Sequence, residues 1–417
     1  MNKIEKLIPE LRFPEFIDEG NWEIKKLGEA ADFINGRAYK QDELLSKGKY
    51  RVLRVGNFFT NNEWYYSDLE LDDDKYCDKG DLLYAWSASF GSRLWSEEKV
   101  IYHYHIWKVK NKDGIDRQFF FHLLDYETLR IKSQSLNGFA LMHITKGTIE
   151  NWESILPKSE IEQKKIASCL SSLDELIQAH SQKLDTLKDH KKGLMQNLFP
   201  QEGEKVPKYR FSGFENDGEW KKTSLSNHID LISGFAFKSE FFSENGMKLV
   251  TPKNFTKVGR ASFNKGNTKY TTEEYDTKYL CNPNDLLVLL TDLTPSCELL
   301  GKPILLTQDD KEALLNQRIV KVKIKSELDQ KFLLQYFLTE TFHRRIISTA
   351  SGSTVRHSSN KIILETGLLI PNNPKEQQKI STCLFALDDL ITAQSNKIEQ
   401  LKEHKKGLMQ RLFPNNI

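Results

Sequence analysis

Cysteine is scarce in this chain, and long apolar runs are missing. The five cysteines among 417 residues are scattered and odd in number, without CxxC spacing, which predicts reduced thiols, no disulfide framework and no zinc site. No apolar run approaches the roughly 18–20 residues that span a bilayer. The N-terminus has charged residues and a proline where a signal peptide would have its apolar core. These absences predict a cytoplasmic protein that does not enter a membrane.

A strong charge of one sign is also absent. The chain has 60 Lys and Arg residues against 58 Asp and Glu residues, so its formal net charge is only +2. A basic footprint is the usual sequence signal of a nucleic-acid-binding protein. Because that signal is missing, any argument for DNA binding has to come from the architecture.

Catalytic motifs are missing as well. The sequence has no P-loop, nucleophile elbow or HExxH, and no glycine-rich turn with an [N/D]PP[Y/F] tetrapeptide of an amino-methyltransferase. Glu23 and Lys25 form a Glu-x-Lys pair without the strand aspartate that a nuclease site needs. His103 and His105 stand two apart on a predicted strand, without a third metal ligand nearby. We therefore predict no catalytic residue, no metal and no cofactor in this chain.

What the chain does have is an internal repeat. The phrase HKKGLMQNLFP at 190–200 returns as HKKGLMQRLFP at 404–414. These phrases end two 45-residue segments, 156–200 and 370–414, which align without gaps and are identical at 26 positions. Repeats of this length indicate a duplicated structural plan.

The repeat extends upstream of these segments. LRFPEFIDEGNWEIKKLG at 11–28 matches YRFSGFENDGEWKKTSLS at 209–226, and INGRAYK at 34–40 matches ISGFAFK at 232–238. The chain is therefore two copies of one plan, each a body of about 150–170 residues followed by one 45-residue segment.

Each segment predicts a long helix with one apolar seam. Apolar residues recur at alternating steps of four and three from Ile166 to Leu198 and again through the second segment, which is a heptad pattern. His180 and Gln394 interrupt the two seams at equivalent positions. Lys191 and Lys405 do the same, and we interpret them as the points where the seam stops serving a helix pair. An antiparallel pairing of the helices, with the bodies related by a pseudo-twofold axis, is the simplest arrangement; packing of each helix on its own body is the alternative.

The bodies predict a mixture of short strands and one longer helix, so the fold class is α+β. Strands are predicted at 50–59, 80–86 and 100–110 in the first body and at 247–255, 284–291 and 318–325 in the second. Helices follow at 117–133 and 329–348, and each body ends in a small loop and a short strand.

This order of motifs resembles the specificity (S) subunit of type I restriction-modification enzymes. The matching residues are Arg12, Phe13, Phe16 and Trp22 with their echo from Arg210 to Trp220, the Pro…Glu-Gln…Ile phrase at 157–166 and 371–380, and the paired HKKGLMQxLFP. The resemblance covers essentially the whole chain.

The resemblance implies that the chain recognises a DNA sequence and does not itself catalyse a reaction. Each body would be a target recognition domain that reads one half of a split site in double-stranded DNA. The paired helices would set the spacing and dock two methyltransferase (M) subunits, which hold S-adenosylmethionine, and motor/nuclease (R) subunits would join. The implied domains are residues 1–157 and 202–371 for recognition, with coiled-coil helices at 158–201 and 372–417.

Candidate DNA-binding residues are the polar, basic or aromatic residues of repeat-matched loops, since such side chains contact base edges and phosphates. In the first body they are Arg37, Tyr39, Lys40, Asn57, Ser87, Arg93, His143 and Lys146. In the second body they are Phe235, Lys238, Lys253, Asn254, Asp292, Ser353, Thr354, Arg356 and His357.

Candidate partner-binding residues lie in the repeated phrase. The sequence leaves open whether they dock a partner or pack against their own body. They are Leu194, Leu198, Phe199, Leu408, Leu412 and Phe413. Two other classes of function also stay open: a DNA-independent scaffold that presents two protein-binding modules, and an enzyme whose site has no recognised motif.

Overall fold

The computed structural model describes residues 7–87, 89–135, 143–292, 294, 296–352 and 355–414. The chain forms two compact units. The first unit combines Met1–Ser181 with Asn396–Ile417, and the second unit is Gln182–Ser395. Each unit therefore contains one body, the first part of one long helix and the last part of the other. Among the described residues, no helix is both long enough and apolar enough to cross a membrane.

The described residues of the first unit form three small sheets. Their orders are β2-β9-β6-β7, β4-β3-β8-β5 and β1-β10, and every pairing is antiparallel except that of β3 with β8. The strands are β1 (Glu23–Lys26), β2 (Ala31–Asn35), β3 (Tyr50–Leu53), β4 (Tyr65–Ser67), β5 (Tyr76–Cys77), β6 (Leu82–Ser87), β7 (Ser89–Leu94), β8 (Val100–Tyr102), β9 (Ile106–Asn111) and β10 (Glu153–Leu156). The helices of this part of the chain are α1 (Leu27–Ala30), α2 (Val55–Phe59), α3 (Arg117–Ser135), α4 (Lys146–Glu150) and α5 (Glu160–Leu198).

The second unit repeats this plan. Its sheets have the orders β12-β21-β17-β19, β13-β15-β14-β20-β16 and β11-β23, with a further pair, β18-β22. The strands are β11 (Lys221–Ser224), β12 (Ile229–Ser233), β13 (Phe242–Ser243), β14 (Met247–Val250), β15 (Lys269–Thr271), β16 (Leu280–Cys281), β17 (Leu286–Leu289), β18 (Thr291–Asp292), β19 (Pro303–Leu305), β20 (Ala313–Leu315), β21 (Ile319–Ile324), β22 (Arg356–His357) and β23 (Gly367–Ile370). The helices are α6 (Gln330–Leu338), α7 (Glu340–Ser348), α8 (Asn360–Glu365) and α9 (Pro374–Leu412).

The α+β fold class is confirmed, and several predicted elements are divided. The run 50–59 is strand β3 followed by helix α2, and the run 100–110 turns between β8 and β9. The predicted helix at 329–348 breaks at Thr339, whose hydroxyl accepts a hydrogen bond from the Phe342 amide and so caps α7. Threonine is a favourable N-cap residue, which explains why a new helix starts there.

Both long helices have 39 residues, or about 58 Å each at 1.5 Å per residue. In the first unit, Ile166 and Leu170 of α5 share a hydrophobic core with Leu412 and Phe413 of α9. In the second unit, Ile380 and Leu384 of α9 share a core with Leu198 and Phe199 of α5. In each unit the start of one helix lies with the end of the other, so the two helices pair in antiparallel directions, as predicted.

The seam lysines belong to this pairing, and their interpretation as its end is wrong. Lys405 Nζ lies 2.6 Å from Oδ1 of Asp174 in the first unit. Lys191 Nζ lies 2.6 Å from Oδ1 of Asp388 in the second. Each lysine finds a carboxylate on the other helix, which satisfies a charge that would otherwise be costly to bury.

The duplicated N-terminal motif ties each body to the first turn of a long helix. Arg12 makes a bidentate ion pair with Glu162, at 2.7 and 2.8 Å, and donates to the Gly20 carbonyl. Arg210 makes the same pair with Glu376, at 2.8 and 2.7 Å, and donates to Gly218. These guanidinium–carboxylate forks fix orientation as well as distance. The motif is therefore a structural clamp in both copies.

Candidate functional site

A hydroxyl–imidazole pair occupies the same place in both units. Ser87 at the end of β6 has its Oγ atom 3.2 Å from Nδ1 of His143. In the second unit, Thr291 Oγ1 lies 3.0 Å from Nδ1 of His357. Both histidines are exposed while both hydroxyl residues are buried. The hydroxyl fixes the ring, and Nε2 is the ring nitrogen left for an outside partner.

In the first unit this pair adjoins a cluster of aromatic and imidazole rings. The Trp86 ring lies 6.1 Å from that of His143 and 5.0 Å from that of His105, edge to face in both cases. Trp86 also donates its indole N–H to the Tyr104 carbonyl at 2.8 Å. The tryptophan therefore holds the chain turn between β8 and β9 against the exposed histidine.

Two histidines of this turn have lowered pKa values, which favours the neutral form of each ring. Their rings are 4.8 Å apart. Burial lowers the pKa of His103 to about 4 and, together with the nearby His143, lowers the pKa of His105. Neutral imidazoles both donate and accept hydrogen bonds, which suits contact with base edges better than contact with phosphate.

The loop after β2 adds an arginine, a tyrosine and a lysine to this surface. Arg37 is held by a bidentate pair with Glu43, at 2.7 and 2.8 Å, which lowers the pKa of that carboxyl to about 2. The ring of Tyr39 stacks on His103 at 6.3 Å, and burial raises the pKa of its hydroxyl. Lys40 is exposed. The predicted residues Arg37, Tyr39 and Lys40 thus border the histidine cluster.

The second unit presents a different set of side chains around its equivalent pair. Phe235, which is 36% exposed, lies 5.3 Å from the ring of Tyr279. Lys238 and Lys253 are exposed, and Arg356 neighbours His357 in β22. The histidine cluster of the first unit has no counterpart in this group of described side chains.

Besides Ser87, three predicted DNA contacts are buried and bonded inside the chain. Asn57 donates to the carbonyls of Asn61 and Glu63, Asn254 accepts from the Thr251 amide, and Asp292 accepts from the amides of Thr294 and Leu299. Their exposed fractions are 9%, 0% and 4%. These side chains shape loops from within, so we keep the prediction of DNA contact for the exposed and half-buried candidates.

The remaining candidates divide into three groups. Arg93 donates to the Phe58 carbonyl at 3.1 Å, and Arg356 to the Ile347 carbonyl at 3.3 Å. Lys146 is exposed, with its Nζ atom 3.5 Å from Glu150. Ser353 and Thr354 lie outside the described residues.

Most of the predicted partner-binding side chains are buried in the chain's own cores. Leu198 and Phe199 are at most 5% exposed in the second unit, and Leu412 and Phe413 are 1% exposed in the first. Leu194 and Leu408 are partly buried against the same cores. These contacts are the ones expected if the side chains pack against the chain's own bodies. Docking of a partner by these apolar side chains stays a prediction.

The sequence missed the hydroxyl partner in the second unit. It selected Asp292, yet the alignment of GDLL at 80–83 with NDLL at 284–287 places Thr291 opposite Ser87. It also treated His103 and His105 as an ordinary strand pair, whereas both lie in the turn after β8. Among the described residues, no group of three or more His, Cys, Asp or Glu side chains is placed to hold a metal ion.

Comparison with known proteins identifies the duplicated plan. A family model described as the type I restriction modification DNA specificity domain matches twice, at residues 19–189 and 217–403. The chain belongs to this family. Its relatives are specificity subunits, so the chain is a non-catalytic component of a restriction-modification system.

Two curated relatives come from Methanocaldococcus jannaschii. The type I restriction enzyme MjaVIII specificity subunit is 27% identical over 98% of this chain and 94% of its own length. The putative type I restriction enzyme MjaX specificity subunit is 25% identical over 95% and 94%. The crystal structure of a type I restriction-modification S subunit from M. genitalium has a TM-score of 0.62 at 16% identity, and the match covers 98% of this chain and 100% of that one. At this identity the structural match supports the fold.

Proposed function

We propose that each unit reads one half of a bipartite site in double-stranded DNA. The observation that carries this proposal is the pair Ser87–His143 with its repeat Thr291–His357. The same exposed imidazole stands at the same place in two units whose surrounding candidates differ. Two units that share this histidine but differ in the side chains around it suit two half-sites of different sequence.

In this proposal the two histidines anchor their units on the DNA, and their neighbours select the bases. Arg37 and Lys40 contribute in the first unit, and Lys238, Lys253 and Arg356 in the second. Arginine suits guanine edges, and lysine suits phosphates. The chain's net charge of +2 means that these local groups, and the partner subunits, supply the attraction for DNA.

The long helices set the spacing and dock two methyltransferase subunits, which carry S-adenosylmethionine, and motor/nuclease subunits join this complex. Exposed helix residues that are identical in both copies support the docking role: His190 and His404, Lys192 and Lys406, and Gln196 and Gln410. A solvated surface constrains such residues weakly, and a shared partner gives a reason to retain them.

The test begins with methylome sequencing of cells that express the complete system, which gives the two half-sites. DNA binding by the purified complex is then measured with sites altered in one half at a time. His143→Ala is expected to weaken contact with one half only, and His357→Ala with the other, so each variant is the control for its partner. If both variants relaxed the same half, the two-reader proposal would be wrong.

A DNA-independent scaffold predicts a different result. Such a protein would assemble with its partners and show no band shift on the methylated site, with or without methyltransferase subunits. The proposal also requires that the isolated chain neither binds S-adenosylmethionine nor methylates DNA. Methyl transfer by the single purified chain would therefore contradict it.

A further inference from the structure

Each unit contains a large cavity beside its body helices. In the second unit a cavity of about 710 Å³ lies between the C-terminal turns of α5 and helices α6 and α7. In the first unit a cavity of about 1030 Å³ lies between the C-terminal turns of α9 and helix α3. Cavities of this size accommodate small ligands or several side chains of a partner.

The same five residues of the repeated helices line both cavities. In the second unit they are Lys188, Lys191, Lys192, Met195 and Gln196. In the first unit they are Lys402, Lys405, Lys406, Met409 and Gln410. All five residue types are identical in the two copies, and they belong to or adjoin the phrase HKKGLMQxLFP.

The opposite wall of each cavity has diverged. Leu338 and His343 line the cavity of the second unit, whereas Asp125 and Arg130 line that of the first. A wall that packs only against its own body can change with that body. The retained helix side therefore points to an occupant that is the same at both places.

On the retained side, one lysine in each cavity lacks an ion-pair partner among the described residues. Among the described residues, no carboxylate oxygen lies within 4.0 Å of Nζ of Lys192 or Lys406, and both side chains are exposed. In the second unit Lys302 also lines the cavity, and burial lowers its pKa to about 8. Cations without counterions favour an occupant that brings negative charge.

Apolar groups lie beside these cations. Phe199, Leu338 and Ile391 line the cavity of the second unit, and Leu129 and Ile177 line that of the first. A pocket with an apolar lining and a charged rim is the usual form of a protein–protein anchor site. Duplex DNA is recognised instead by an open stripe of positive charge, and a concave pocket with an apolar lining does not provide one.

We propose that each cavity receives the same segment of one methyltransferase subunit, with an apolar side chain inserted and carboxylates facing Lys192 or Lys406. The proposal rests on the proposed function and moves the docking contact from the buried leucines to the cavities. Docking of the same segment at both places explains why the motif HKKGLMQxLFP occurs twice in the chain. The first part of the phrase forms the surface for the shared partner, and the LFP end closes the core of each unit.

The test measures binding of the system's methyltransferase subunit to the full chain by calorimetry and native mass spectrometry. Lys192→Glu and Lys406→Glu are each expected to leave one subunit bound at wild-type affinity and to weaken the other about tenfold or more, since like charges across an interface are strongly unfavourable. The double variant should weaken both. Lys183→Glu with Lys397→Glu is the matched control, because these exposed lysines are also identical in both copies and line neither cavity.

A second pair of variants tests the cavity without changing charge. Gln196→Trp and Gln410→Trp fill the two entrances and should reduce binding in the same one-per-cavity manner. Unchanged binding by the double lysine variant would overturn the proposal, and so would an equal loss in the control. Unchanged subunit binding with weaker DNA binding would also overturn it, by assigning the lysines to phosphate. If the wild-type chain bound no methyltransferase subunit, the proposed function itself would fail.

Discussion

Lys405 Nζ lies 2.6 Å from both carboxylate oxygens of Asp174. The equivalent pair in the second unit joins Lys191 to Asp388, again at 2.6 Å. The two sites differ in burial. Asp388 is 4% exposed and also accepts a hydrogen bond from Gln335, whereas the Asp174 side chain is 38% exposed. Because the two lysine–aspartate pairs differ in solvent exposure, the free-energy cost of burying such a pair can be measured within one chain.

Lys191→Met is expected to destabilise the second unit by about 3–5 kcal/mol, because it leaves the buried Asp388 carboxylate without its cation. Lys405→Met should cost less, since water reaches Asp174. Urea unfolding at pH 7 gives both free energies. The double variant Lys191→Met with Asp388→Leu removes both charges and should recover most of the loss. Equal costs at the two sites would contradict this account.

His122 should make the stability of the first unit depend on pH. Burial lowers its pKa to about 3, below the value of about 6.5 expected for an unfolded chain. The unfolded state therefore binds the proton first, and stability present above about pH 6.5 is lost as the pH falls towards 3. At pH 4.5 the loss from this residue is about 2–3 kcal/mol.

The second copy supplies the variant that tests this dependence. Gln335 stands at the position equivalent to His122, and its amide donates to Asp388 at 2.9 Å. His122→Gln should remove about 2–3 kcal/mol of the difference in unfolding free energy between pH 7 and pH 4.5. The reverse change, Gln335→His, should introduce such a difference in the second unit. An unaltered pH profile in both variants would show that other groups dominate.

Gly193 and Gly407 are interior helix residues, and a Cβ atom added at either would meet nothing within 4 Å. Gly193→Ala and Gly407→Ala are each expected to stabilise the chain by up to about 1 kcal/mol, because alanine has the higher helix propensity. Thermal unfolding measures the gain. Gly36→Ala is the contrasting control, since its Cβ atom would lie 2.3 Å from the Tyr102 carbonyl oxygen. A loss of stability at Gly193 would mean that the helix needs glycine there.

The proposed spacing function of the helices predicts the effect of lengthening them. One heptad added between Ala179 and His180, and one between Ala393 and Gln394, preserves the seam and lengthens each helix by about 10 Å. At about 3.4 Å per base pair, the gap between half-sites should grow by about three base pairs, with the bases of each half unchanged. Methylome sequencing measures the gap. Efficient methylation at the original spacing would show that the helices do not set the distance.

The long helices could be predicted from sequence because an apolar pattern sustained over more than four heptads specifies both the helix and its buried face. The prediction placed the first helix at 158–201, with its apolar seam from Ile166, and the structure has α5 at Glu160–Leu198. The strands were placed less accurately because short apolar runs do not separate a strand from a turn of helix. The run at 50–59 contains both.

The candidate site was harder to predict, because burial decides which polar residues reach the surface. Asn254 and Lys253 are adjacent in sequence, and only the lysine is exposed. The lysines of the seam were misjudged for a related reason. Their aspartate partners lie on the other helix, 197 and 231 residues away in sequence. The residue pattern of a single helix therefore does not reveal them.

The division of the chain into units has a consequence for its synthesis on the ribosome. The second unit is one continuous stretch, Gln182–Ser395, so its residues leave the ribosome without an intervening segment of the first unit. The first unit needs Leu412 and Phe413 to fill the core that contains Trp22 and Phe119, and the Leu11 amide donates to the Arg411 carbonyl at 2.9 Å. Domains usually fold in the order in which they are made. Here the body that is translated first receives its last core residues only after the whole second unit has been translated, and until then the apolar surface that those residues cover stays exposed.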